Sequence, residues 1–142
     1  MMPTGTAKHP IPPPPDTLPR RSRRALPPYR YVPGWMPHPF RHAGGHMYTD
    51  GSAPAHAPWD HRVEWSTDPT AMFAADLFDH RYFWEAHEAW EAMWHECPRP
   101  SLDRDVLQSL IQTAAAILQT HLGAHRSARM LLDRARDRMD HA

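Results

Sequence analysis

Residues 85–91 read EAHEAWE and place one imidazole, His87, among Glu85, Glu88 and Glu91. On a helix, His87 and Glu91 are four apart and share a face. An imidazole nitrogen with carboxylate oxygens is a donor set that divalent cations accept. His87 and Glu91 are therefore candidate metal ligands, with Glu88 beside them as a candidate general base, and a metal-dependent hydrolase is one reading. The run differs from H-E-x-x-H by carrying Glu91 where the second histidine would stand, so such a site needs a third ligand from elsewhere. His95 lies two turns on, near the helix end and facing outward. It is a poor third ligand.

The element that must position these groups is the stretch RYFWEAHEAWEAMWHECP, residues 81–98. At about 100° per residue, Phe83, Ala86, Trp90, Met93, Trp94 and Cys97 form one apolar stripe. His87 and Glu91 fall at its edge, between the core and an outward side that takes Glu85 and Glu88. Farther on, Gln108 and Gln112, also four apart, stand on the shoulder of the next apolar face. If the two shoulders meet, they form a polar seam, and buried polar groups there need partners at a cost of about 1–3 kcal/mol when unpaired. The leading reading is thus a helical module with a His/Glu/Gln seam, structural or ligand-binding. His87, Glu88, Glu91, Trp94, Gln108 and Gln112 are its candidate ligand-binding set. A divalent metal is the one cofactor to consider.

Four helices are expected. Asp68 ahead of Pro69 opens the first, which runs to about His80 with Met72 or Phe73, Leu77 and Phe78 inward. The second spans about Tyr82–Glu96 and stops before Pro98 and Pro100. The third, about Asp103–Leu122, is apolar on more than one face and is expected to be the most buried, with Gly123 as its stop. The fourth, about Arg126–Asp140, places Ala128, Leu131, Leu132, Ala135 and Met139 on one side. The fold class is all-α, a small antiparallel bundle of about four helices over residues 67–142.

The first part of the chain is different. Of 17 prolines, twelve fall in residues 1–50, and that part carries +5 (seven basic, two acidic side chains) against −6 for residues 51–102. Residues 1–27, with their Pro and Arg runs, read as a disordered tail. Residues 28–66, with Tyr29, Tyr31, Trp35, Phe40 and Tyr48, read as an irregular arm docked on the bundle, since aromatics offer area to bury and prolines lower the entropy lost on ordering. RRSRR at residues 20–24 has the charge to bind nucleic acid, but no reader fold accompanies it. His38, His42 and His46 recur every four residues, but the prolines and glycines around them exclude a helix and rob the spacing of meaning. One cysteine, no leader-like run and no apolar stretch of membrane length point to a cytoplasmic protein. Homo-oligomerisation stays open.

LFDHRYFWEAHEAWEAMWHE, LQSLIQTAAAIL and GAHRSARMLLDRA together resemble the domain-of-unknown-function family numbered 309 over roughly residues 70–136. Glu85, Ala86, His87, Glu88, Glu91 and Trp94 fill its E-A-H-E block. Gln108, Leu110, Ile111, Gln112, Ala114 and Ala115 fill its Q-G-L-I-Q-x-A-A block, with Ser109 for the glycine. Ala124 and Ser127 replace the Asn and second Gly of a third block. LPPYRYVPGWMPHPFRHAGGH is similar to an N-terminal extension of some members. The resemblance implies a small all-α bacterial protein and brings no reaction with it. It does single out His87, Glu88, Glu91, Gln108 and Gln112.

Overall fold

The computed structural model of the protein describes residues 11–39, 41, 43–45 and 59–141. Four helices follow one another, α1 (Pro69–Asp79), α2 (Phe83–Glu96), α3 (Leu102–His121) and α4 (His125–Asp140), and no strand occurs among the described residues. The fold is all-α, as the periodicity predicts.

The helix ends follow local chemistry. Asp68 caps α1, its Oδ1 accepting from the N–H groups of Thr70 (2.8 Å) and Ala71 (3.0 Å), and Pro69 takes the first turn, where no N–H is needed. Ser101 caps α3 by accepting from the Arg104 N–H at 3.2 Å. Gly123, at φ 75°, ends α3 in a Schellman turn, with Ala124 N donating to Gln119 O and Gly123 N to Thr120 O. The same turn closes α1, but its left-handed residue is Arg81 at φ 70°. Arg81 reaches from there to the carbonyls of Pro12 and Pro13.

Each helix packs on the next in sequence. Arg138 of α4 donates to Asp105 of α3 at 3.3 Å, which pairs the end of one with the start of the other, so these two run antiparallel. Two apolar clusters result. One joins Phe73 and Leu77 of α1, Ala86, Trp90 and Met93 of α2, and Leu107, Ile111 and Ala114 of α3. In the other, Phe83 and Trp84 of α2 and Leu118 of α3 meet Ile11, Tyr31 and Val32 of the N-terminal segment.

That second cluster changes two expectations. α3, expected to be the most buried helix, has six buried residues among 20, a smaller share than α1 with five among 11 or α2 with six among 14. The reason is that the proline-rich segment covers the side of α2 that the bundle leaves open. Residues 11–27, expected as a disordered tail, lie against α1 and α2 instead, and residues 1–10 lie outside the described residues. What holds them is Asp76, a fully buried carboxylate on α1. It accepts from Arg20 Nε (3.0 Å), the backbone N–H groups of Arg21 and Ser22 (both 2.8 Å) and Ser22 Oγ (2.6 Å). Arg21 also pairs with Asp79, and Arg24 stacks over Phe73. Along the same edge, Tyr82 Oη donates to Pro27 O, Arg30 Nε to His80 O and His80 Nε2 to Pro19 O. Chain carbonyls without a sheet or helix thus find partners on the bundle. On α4 only Ala128 and Ala135 are buried. Leu132 and Met139, expected inward, are exposed, because α4 packs chiefly on α3 and presents its other faces outward.

Replacing Asp76 by Asn leaves four donors facing a neutral amide that cannot satisfy them. Urea melts of Asp76→Asn are expected to show a loss of about 3 kcal/mol, with trypsin cleaving after Arg20 and Arg21 faster than in the wild type. An unchanged midpoint and an unchanged cleavage rate would rule out the clamp.

Candidate functional site

The core turns of α2 fix where its polar residues project. Ala86 and Trp90 are buried on either side of His87, so the His87 side chain emerges at the helix edge, 24% exposed. There its Nε2 lies 3.2 Å from Oε2 of Glu91, and its Nδ1 lies 3.6 Å from Oε1 of Glu88. Nδ1 is itself shut off from solvent and makes no hydrogen bond. One ligand atom from each of His87, Glu88 and Glu91 falls within 4.8 Å of the others. The carboxylates are 31% and 43% exposed, so the cluster opens to water on one side. It can hold a cation by one face while other positions stay free.

The remaining candidates stand apart from it. Gln108 and Gln112 make no hydrogen bond to His87 or Glu91. Gln112 instead lines a cleft between α3 and α4, where its Oε1 is buried and has no partner. Trp94, two turns along α2, is gripped at the junction with α3: the Arg104 guanidinium sits 3.6 Å from its ring centre and donates to its carbonyl at 3.0 Å. His95 is exposed with its ring against Trp94 and is not part of the cluster. His38 packs edge-on against Tyr31 and Trp84, and burial lowers its pKa. His42 and His46 lie outside the described residues.

Glu85 is the largest departure. Expected outward, it is 4% exposed and accepts from the backbone N–H of Tyr31 at 3.1 Å. Sequence reasoning passes over it because the partner is a main-chain group of an aperiodic segment. Asp76 was equally missed, although a carboxylate three residues after Phe73 and next to Leu77, inside an apolar stripe, signals a charge that needs a counterion. The counterion is the RRSRR run. Of its four guanidiniums, those of Arg20, Arg21 and Arg24 are engaged by the bundle. Cys97 is buried, and burial raises its thiol pKa, so it is held as the neutral thiol.

A family model described as Domain of unknown function (DUF309) matches residues 72–131, from α1 into α4. This segment belongs to the DUF309 family. The DUF309 domain therefore includes Asp76, Glu85, the whole His87–Glu88–Glu91 cluster and both glutamines, while the arm lies outside the matched residues. No curated protein and no solved structure gives a significant match. No helix of the described residues is long and apolar enough to cross a membrane.

The two glutamates of α2 are expected to respond differently to truncation. Glu91→Ala removes a half-exposed partner of His87 and is expected to cost under about 1 kcal/mol. Glu85→Ala strands the buried Tyr31 N–H and is expected to cost about 1–3 kcal/mol. Urea midpoints decide it, and an equal loss in both would mean that the edge and the arm contact are buried alike.

Proposed function

We propose that this chain is a helical divalent-cation-binding module whose working site is the α2 edge formed by His87, Glu88 and Glu91. The convergence of one imidazole and two carboxylates within 4.8 Å carries the reading. One nitrogen and two oxygen donors suit zinc or manganese better than calcium, which prefers oxygen alone. Rigidity supports it as well. The helix that bears the donors is packed against the bundle on one side and the arm on another, so they are held in place before a cation arrives. Gln108, Gln112 and Trp94 have no part in this site.

Three protein donors leave coordination positions for water or a substrate, the pattern of catalytic rather than structural zinc. A metal-dependent hydrolase is therefore the second reading. In it His87 and Glu91 would hold the ion, which would supply an activated water, and Glu88, released from its place as third donor, would serve as the general base. A soluble, cytoplasmic setting suits both readings, since Cys97 then stays reduced.

The experiment is calorimetric titration of the untagged, full-length protein with Zn²⁺ and Mn²⁺. One saturable equivalent is expected, weakened at least ~10-fold (about 1.4 kcal/mol) by His87→Ala and by Glu91→Ala. Glu96→Ala, on the same helix away from the cluster, is expected to bind as the wild type does. A folded protein that takes up neither ion, or one whose binding survives His87→Ala, would leave the cluster as a helix-surface ion pair with no cation role.

A further inference from the structure

The cation site on α2 is short of a donor. One ligand atom each from His87, Glu88 and Glu91 converges within 4.8 Å, and a zinc ion held for structure takes four. The next imidazole along the helix is that of His95, which is exposed and rests its ring edge-on against Trp94. It follows His87 by eight residues, about 12 Å along the axis, and stays out of the cluster. Yet His87, Glu91 and His95 are spaced i, i+4, i+8 and form one row along the helix. That row borders water: Glu91 is 43% exposed and His87 24%. Beside it stands Ala92, a small side chain over which a second helix can come close.

We infer that a second copy of this chain supplies the missing donor, with two α2 helices crossing antiparallel at Glu91 so that each His95 completes the other copy's site. The inference rests on the cation reading above and decides what that reading leaves open, since a fourth protein donor makes the site structural rather than hydrolytic. Glu91 is the midpoint of the row, four residues from either histidine. A twofold axis at Glu91 therefore sets His87 of each copy opposite His95 of the other, and both sites are completed at once. Rows of residues four apart are also the ridges through which helices most often pack. Charge points the same way. Each copy brings Glu88 and Glu91 to the contact, and two such faces repel one another when no cation lies between them. Two divalent ions offset four carboxylates, so the pair closes only with its ions in place.

The test is the mass of the untagged, full-length protein by light scattering, in EDTA and with one equivalent of Zn²⁺ per chain. A monomer is expected in EDTA and a dimer with zinc. His87→Ala and His95→Ala are each expected to stay monomeric alone, and His95→Ala to bind zinc at least ~10-fold more weakly than the wild type. His125→Ala, which removes an exposed histidine of α4, is expected to dimerise as the wild type does. Mixing His87→Ala with His95→Ala restores one complete site, with His87 from one chain and His95 from the other, and a zinc-dependent dimer is expected to return at raised concentration. A wild type that binds zinc as a monomer overturns the inference and leaves the cation reading standing. Dimerisation in EDTA, a His95→Ala variant that still dimerises, or a mixture that stays monomeric overturns it equally. A wild type that takes up no zinc removes both.

Discussion

A carboxylate with no access to water cannot stay charged alone, and Asp76 sits in that position on the inner face of α1. The bundle supplies no cation for it. Everything that neutralises and solvates it comes from Arg20, Arg21 and Ser22, more than 50 residues earlier in the chain. Burial pushes its carboxyl pKa up, but the hydrogen bonds from Ser22, Arg21 and Arg20 outweigh that and bring it down to about 2. The segment is thus tied to the helices through this charge, together with the Arg21–Asp79 pair and the hydrogen bonds of Tyr82, Arg30 and His80. A group whose pKa is depressed in the folded state stabilises it above the ordinary carboxylate range. That contribution is lost as the pH falls from about 4 towards 2.

The clamp has consequences for α2. Once residues 19–30 are fixed along α1, Tyr31 and Val32 arrive over Phe83 and Trp84, and Tyr31 N–H meets Glu85. The first turns of α2 are then enclosed by α1, α3 and the arm. Its polar groups have one way out, and that edge is where His87, Glu88 and Glu91 converge. Fixing the helix costs the site little further entropy when it takes a ligand, which is the physical value of mounting donors on a packed helix.

Much of this was legible in residue order. Asp68–Pro69, Pro98 and Gly123 mark helix ends by chemistry that acts within a few residues, and the α2 stripe from Phe83 to Cys97 repeats at the helical period. His87 and Glu91 stand at the edge of that stripe by the same arithmetic. The arm obeys no period. A wheel drawn for α2 assigns one apolar face and leaves the rest to water, so Glu85 reads as outward until a segment with neither helix nor strand is laid over it. Gln112 illustrates the same limit. Its spacing from Gln108 describes a face of α3 but not whether α2 or α4 lies opposite, and the cleft places it beside α4.

The carboxyl chemical shift of Asp76, followed through a pH titration of the intact chain, measures the clamp directly. A midpoint near 2 is expected, well below the ordinary carboxylate range. A midpoint near 4, or above it, would mean that Arg20 and Ser22 do not hold the charge, and the dependence of arm, α2 and site on this one carboxylate would be contradicted.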